Sequence, residues 1–353
     1  MEVCSQNLFD PKTVLLKVNG NKCNMNCEYC SEIPKEFSEE QCTFDYDKIK
    51  TILEKLPKDV DIILHGGEPS LIGIENVKKV ATLIQDLGFK MKPSIQTNGM
   101  LSDKWIDFFR DNRELIRVSV SIDGNSHCNA FRRIKNRENN VAFKLVDNFL
   151  HKIDKLGIEF RCIATVNSLS WDKGNQIVEY FNQFEHLKFV RINPCFDIDY
   201  DGVKRWAITP TQYLQCLKSA FNIMLKTEAY KKYKLDPLMD IAENLRRNTK
   251  KYEFKCNKFS SIFPDGMVTS CDAMREIVQN VEIGEDMFLR FMQPDYVAEC
   301  IERCNKCKWL DICKGGCPPL MYRYKIYVPK LLDEYCQYRV EIRQYIQSTM
   351  NLK

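Results

Sequence analysis

The chain has 353 residues, with 52 Lys and Arg against 48 Asp and Glu spread along its whole length, so no block of like charge marks a nucleic-acid or membrane footprint. No apolar run reaches the ~20 residues of a membrane span, and the opening MEVCSQNLFDPKT lacks the basic start and apolar run of a secretory signal; a cytoplasmic protein is expected. Seventeen cysteines are the distinctive count, because thiols in a reducing compartment more often ligate metal or react than pair as disulfides.

From residue 13 to 194 short strand-like runs alternate with helix-period segments, the pattern of a parallel sheet covered by crossover helices. The predicted strands are 13–19, 60–66, 93–97, 115–122, 159–166 and 187–193. Between the first pairs, Ile49, Ile52, Leu53 and Leu56 form one helical face, and Val77, Val80, Ala81, Ile84 and Leu87 another. Six such units with right-handed crossovers give a curved, incomplete barrel or a doubly wound open sheet, and periodicity does not separate the two. Either places active residues at the carboxyl ends of the strands. After Pro194 the rhythm stops, and Thr209-Pro210 opens an amphipathic helix with Tyr213, Leu214, Leu217, Phe221 and Leu225 on one face. Residues 256–336 carry seven of the grouped cysteines with little regular periodicity, and a helix is predicted over 336–349. The division read from this is a barrel over 1–208, a helical bridge over 209–255 and a metal-bearing domain over 256–353.

Ten cysteines fall into spaced groups; Cys4, Cys42, Cys128, Cys162, Cys195, Cys216 and Cys300 are left over and read as small hydrophobes. Cys23, Cys27 and Cys30 form C-x3-C-x2-C directly after the first strand. Three thiolates can hold three irons of a cubane and leave the fourth iron open, whereas structural zinc wants four closed ligands. Zinc with a distant fourth ligand is the alternative, although no histidine lies within twenty residues.

This segment, with Tyr29 before its last cysteine, resembles the signature of the radical S-adenosylmethionine superfamily. His65-Gly66-Gly67-Glu68-Pro69 at the end of the second strand is similar to that family's glycine-glycine-glutamate-proline element, which contacts the cofactor's amino group. Gln96-Thr97-Asn98-Gly99 and Ser119-Val120-Ser121-Ile122-Asp123-Gly124 resemble its later pocket segments, through Thr97, Asn98, Ser121 and Asp123. Arg132 or Arg133 is similar to the arginine that reaches the cofactor carboxylate. The resemblance implies that S-adenosylmethionine chelates the open iron and is cleaved reductively to a 5′-deoxyadenosyl radical.

The second region reads Cys256-x9-Gly266-x4-Cys271, then Cys304-x2-Cys307-x5-Cys313-x3-Cys317, then Cys336. It resembles the SPASM extension of radical enzymes that modify peptides and proteins. The resemblance implies an α/β fold, a partial (β/α)6 TIM-type barrel followed by a small cysteine-rich SPASM domain with little regular structure. It also implies three [4Fe-4S] clusters in all: Cys256, Cys271 and Cys317 would hold an inner auxiliary cluster, and Cys304, Cys307, Cys313 and Cys336 an outer one. Cys300 is a candidate fourth ligand for the inner cluster, the alternative being an open iron. Two structural zincs are the plainer reading of the region.

Asp272 matches the general-base aspartate of anaerobic sulfatase-maturating enzymes; a turn or cap aspartate is the bland alternative. His65 is a candidate substrate contact, or a hydrogen-bonded structural histidine. The expectation is therefore an enzyme, a radical oxidoreductase acting on a ribosomally synthesised peptide, with sulfatase maturation by formylglycine formation as the second choice and a zinc-organised interaction protein as the non-enzyme alternative. Its expected partners are a peptide or protein substrate and a flavodoxin- or ferredoxin-type electron donor, with no nucleic acid and no membrane. The first strand starts near residue 13, which leaves no room before it for the leader-binding domain of some peptide maturases.

Overall fold

The computed structural model describes residues 12–30, 44–132, 141–247, 259–264, 268–269 and 295–351. Six strands run where alternation predicts them: β1 (Thr13–Lys17), β2 (Asp61–His65), β3 (Ser94–Thr97), β4 (Arg117–Ser121), β5 (Phe160–Val166) and β6 (Leu187–Pro194). They pair in parallel and in sequence order. That order separates the two architectures left open above: a doubly wound sheet reverses its order at a switch point, whereas this sheet advances one way, as a curled partial barrel does.

The helices between them are α1 (Tyr46–Lys55), α2 (Ile74–Asp86), α3 (Asp103–Asp111), α4 (Val141–Lys155) and α5 (Gly174–Phe181). Ile49, Ile52 and Leu53 of α1, and Val77, Val80, Ala81 and Ile84 of α2, are buried as their spacing requires. They pack with Val14 and Leu16 of β1, Ile62 and Leu64 of β2, Val118 and Val120 of β4, and Cys162 and Ala164 of β5 in one core. Burial of each such side chain stabilises the fold by roughly 1.5–3 kcal/mol. The opposite layer of the strands carries the polar Lys17, His65, Gln96, Ser121 and Thr165, and these mark the face on which a site can form.

The sheet extends beyond the predicted six. A short antiparallel ribbon, β7 (Ile198–Asp199) and β8 (Gly202–Val203), follows β6. Then α6 (Pro210–Lys226) opens with the expected threonine cap, Thr209 accepting from the Gln212 amide while the Gln212 side chain accepts from the Thr209 amide. Beyond it β9 (Lys234–Asp236) adds in parallel to β6, followed by α7 (Leu238–Arg247). At the other edge β10 (Phe259–Ile262) adds in parallel to β1 and carries the antiparallel β11 (Val268–Thr269). Three- and four-residue strands such as KLD and FSSI have no alternation to read.

The C-terminal region is less regular. Helices α8 (Asp295–Asn305), α9 (Leu310–Cys313), α10 (Pro318–Tyr327) and α11 (Pro329–Thr349) are broken by short turns at the cysteine positions. The last helix begins seven residues before the predicted 336, with proline in its first turn. Among the described residues no helix is long and apolar enough to cross a membrane.

Candidate active site

The Cys23–Cys30 loop leaves the carboxyl end of β1 and is held against the end of β2 by main-chain bonds. The Gly67 amide donates to the Gly20 carbonyl and the Glu68 amide to the Lys22 carbonyl, each at 2.8 Å. This is why two glycines follow His65. A Cβ on Gly66 would lie 2.5 Å from the Gly20 oxygen, and one on Gly67 would lie 2.3 Å from the Lys22 oxygen, distances no side chain tolerates. The glycine pair thus admits the cysteine loop's own backbone.

Glu68 caps the short 3-10 turn Pro69–Ile72, accepting from the Ser70 amide at 3.0 Å. Its carboxylate also accepts from the Thr97 hydroxyl at 2.8 Å and the Asn98 amide at 2.7 Å, and the residue is fully buried. Burial pushes this acid up from its ordinary value, against the pull of those donors. The carboxylate is therefore spent on joining the ends of β2 and β3. Asn98 continues the connection: its side-chain amide donates to Asn24 at 2.7 Å and to the Cys23 sulfur at 3.6 Å, which also receives the Met25 amide at 3.4 Å.

Tyr29 lies on the far side of the loop, its hydroxyl donating to Asp123 at 2.5 Å. The other Asp123 oxygen accepts from the Thr165 amide at 2.8 Å, so the carboxylate joins the loop to the ends of β4 and β5. Burial pushes Asp123 up to about 6, although Arg132 and the Tyr29 hydroxyl pull it down. Arg132 is buried and donates to the Asn98 carbonyl at 3.0 Å. Ser121 accepts from Gln96 at 2.9 Å. Cys23, Cys27, Cys30, Tyr29, Gly66, Gly67, Glu68, Pro69, Thr97, Asn98, Ser121, Asp123 and Arg132 thus gather at one end of the sheet, whereas Arg133, Cys256, Cys271 and Asp272 lie outside the described residues. His65 faces Lys17, with Nδ1 and Nζ 3.1 Å apart. Sequence reading singled out neither Lys17 nor Asn24; a lysine ending the otherwise apolar run TVLLK is the signal that could have found the first.

A second group forms in the C-terminal helices. Cys304, Cys307, Cys313 and Cys336 line one cavity of about 490 Å³, together with Arg303 and Arg339. The Cys304 thiol is pushed up by burial and drawn down by the Gly316 amide, and burial raises Cys336 to about 11 against the pull of Arg303. Cys317 stands outside this wall, its amide donating to the Tyr335 hydroxyl at 2.9 Å. Cys300 is buried and its thiol points to the Pro318 carbonyl at 3.8 Å. Cys128, Cys162, Cys195 and Cys216 are buried among apolar side chains, as expected of small hydrophobes; Cys4 and Cys42 lie outside the described residues. Among the described residues no three His, Cys, Asp or Glu side chains converge on a single-ion site.

Comparison with known proteins agrees with this arrangement. Residues 19–173 match the Radical SAM superfamily. The chain is similar to the cysteine-type anaerobic sulfatase-maturating enzyme of Clostridium perfringens, with 25% identity over 87% of this chain and 89% of the relative. It is also similar to the serine-type enzyme of Bacteroides thetaiotaomicron, with 29% identity over 52% and 46%. Among solved structures, native anSMEcpe with bound AdoMet superposes with a TM-score of 0.79 at 21% identity, over 97% of this chain and 100% of that one. Streptococcus suis SuiB bound to precursor peptide SuiA superposes with a TM-score of 0.63 at 16% identity, over 88% and 73%. The chain carries a radical SAM domain and is an enzyme.

Proposed function

We propose that this radical SAM enzyme oxidises a cysteine or serine side chain of a peptide or protein segment to formylglycine, the reaction for which its sulfatase-maturating relatives are named. The observation that carries the reading is the span of the match: the cysteine-type relative aligns over 87% of this chain and 89% of its own length. Sequence reading alone put ribosomal-peptide maturation first. The relatives that span most of the chain are named for sulfatase maturation, so the order is reversed here.

The residues fit the groups this reading requires. Burial raises the Cys23 thiol, and the Met25 and Asn98 N–H groups aimed at its sulfur draw it back down; buried Arg132 supplies positive charge beside Cys27, and donors and positive charge of this kind favour a thiolate. Cys23, Cys27 and Cys30 would thus hold the cluster that binds S-adenosylmethionine. Cys304, Cys307, Cys313 and Cys336, around their cavity, would hold an outer cluster. Cys317 would join Cys256 and Cys271 at an inner one. When bound, these groups supply a 5′-deoxyadenosyl radical and an acceptor for one electron.

The chain's own part is positioning and proton transfer. The ties of Glu68, Asn98 and Asp123 fix the cysteine loop against three strand ends, so the reacting carbon of a bound segment meets the radical at a fixed point. Loss of a hydrogen atom from the cysteine Cβ, then of one electron and the S–H proton, leaves a thioaldehyde. Water converts it to the aldehyde with release of hydrogen sulfide. Asp272 is the proposed acceptor of that proton, and His65, anchored by Lys17, the proposed contact to the segment. The proposed division remains barrel 1–208, helical bridge 209–255 and cluster domain 256–353, with a flavodoxin- or ferredoxin-type protein as electron donor.

Anaerobic reconstitution, iron and sulfide counting, and incubation with S-adenosylmethionine, dithionite and a sulfatase-derived cysteine peptide test the reading. About twelve irons per chain, 5′-deoxyadenosine lost in Cys27→Ala, and an aldehyde trapped on the peptide by a hydrazide are expected. Nucleoside formation with a cross-linked precursor peptide but no aldehyde would return peptide maturation to first place. Zinc without nucleoside would sink both.

A further inference from the structure

Helix α11 places Cys336 and Arg339 three residues apart, so both reach the same cavity. The Arg339 guanidinium donates to the Cys313 carbonyl at 3.4 Å and sits 5.8 Å from the Tyr335 ring centroid. Its Nε is closed off from solvent and has no hydrogen-bond partner among the described residues. No carboxylate among the described residues neutralises it. The two acids of the cavity wall are engaged elsewhere, Asp333 with Arg303 at 3.3 Å and Glu341 with Lys218 at 3.7 Å. One turn further on, Arg343 donates to the Arg339 carbonyl at 2.9 Å and adds a second cation on that side.

An arginine stays charged throughout the accessible pH range, and a partly buried charge without a counter-ion is costly to keep. Ordinary packing needs no such group, because an apolar side chain fills the space better. The charge is accounted for if the cavity itself becomes the counter-ion, as it does when four thiolates and their cluster bring net negative charge to it. Wall and occupant then form the pair. One-electron reduction adds one more negative charge at the same place, and a nearby, poorly screened cation stabilises the reduced state more than the oxidised one.

We propose that Arg339 is a positioning residue for electron acceptance, holding the reduction potential of the cluster bounded by Cys304, Cys307, Cys313 and Cys336 above the value it would have with a neutral side chain in that wall. The inference rests on the reading that this cavity holds an iron–sulfur cluster. It adds the claim that one side chain of α11 sets how readily that cluster takes an electron.

The test is a potentiometric titration of the anaerobically reconstituted full chain, followed by electron paramagnetic resonance. The one-electron step that disappears in Cys304→Ala/Cys307→Ala belongs to this site. Arg339→Gln is expected to retain iron and to lower the reduced-to-oxidised ratio at fixed potential at least about tenfold, which is about 59 mV for a one-electron couple. Arg339→Lys keeps the charge and is expected to stay within about threefold of wild type, about 28 mV on the same conversion. No change in Arg339→Gln, or equal falls in both variants, overturns the proposal. Should Arg339→Gln take up no iron, Arg343→Gln carries the same test with a smaller fall in the same direction, and an unchanged potential there overturns it. A wild-type chain in which the double cysteine variant removes neither iron nor a titration step overturns the cavity's assignment instead.

Discussion

Replacing Gly67 by alanine should loosen the Cys23–Cys30 loop without unfolding the protein. The new Cβ would stand 2.3 Å from the Lys22 oxygen and 2.5 Å from the Asn21 oxygen, both main-chain atoms that no rotamer change can move aside. An ordinary carbon–oxygen contact is about 1 Å longer, so the loop must retreat by about that much. Overpacking of this kind costs about 1–3 kcal/mol, and retreat weakens the bonds from Gly67 to Gly20 and from Glu68 to Lys22, each worth about 1 kcal/mol. The total, about 3–5 kcal/mol, is below the usual 5–15 kcal/mol that holds a domain folded. A melting midpoint lowered by roughly 4–7 °C is expected for a chain of this length, together with faster alkylation of the loop thiols in the metal-free chain. Gly73→Ala is the control: its Cβ meets nothing within 4 Å, and only its φ of +88° is strained, at a cost near 1 kcal/mol. An unchanged midpoint and unchanged thiol reactivity in Gly67→Ala would refute the close-approach account of the glycine pair.

Glu68→Gln turns an amide N–H toward one of the donors Ser70, Thr97 or Asn98, and urea denaturation should register a loss of about 1–3 kcal/mol. Asp123 gives a pH signature: its acid sits near 6 folded against 3.8 as a free side chain, so the native state holds the proton more tightly and this group's contribution is full below about pH 4 and lost as pH rises through 6. The stability of wild type relative to Asp123→Asn should accordingly fall by about 3 kcal/mol between pH 4 and 7, and a flat difference would contradict the burial of this carboxylate. Phe196→Ala removes a ring packed edge-on against Tyr213, Tyr324, Tyr335 and Tyr338; a loss of about 3 kcal/mol is expected, with faster amide exchange in α10 and α11 than in β1–β5.

Alternation made the six central strands legible, because each has a helix-facing layer that must be apolar, as Phe160, Cys162, Ala164 and Val166 of β5 illustrate. The helical faces and the Thr209 cap followed from equally local rules. What escaped depends on partners distant in sequence. β10 reads FSSI, and its serines are buried only because β1 lies beside them. The start of α11 escaped although Val328-Pro329 carries a helix-opening proline, since the residues before Cys336 show little apolar period. In the site, motif spacing picked out residues that the structure gathers at one end of the sheet, but not how they hold one another. The close approach of the Gly20 and Lys22 main chain to the glycine pair has no signal in the motif itself. Nor does the motif show that the Glu68 carboxylate accepts from Ser70, Thr97 and Asn98.

The two cysteine-bearing regions are joined by a short mechanical route. Glu28, between Cys27 and Cys30, pairs with Arg205 at the end of the β7–β8 ribbon. The neighbouring Trp206 indole donates to Asp197 at 2.7 Å, and Arg323 of α10 donates to the Ile198 carbonyl at 2.7 Å. Beneath this runs the aromatic cluster around Phe196, whose member Tyr335 accepts the Cys317 amide and abuts Arg339. Surface ion pairs such as Glu28–Arg205 contribute little stability on their own, but packed rings resist displacement because any gap forfeits dispersion contacts on every side. The rigidity of the connection therefore resides in Phe196 and the tyrosines, and the charged pairs set its register. If, as proposed, an electron leaves the substrate for an acceptor in the C-terminal region, a fixed separation between the loop at β1 and the helices at Cys317 serves that chemistry as well as the fold.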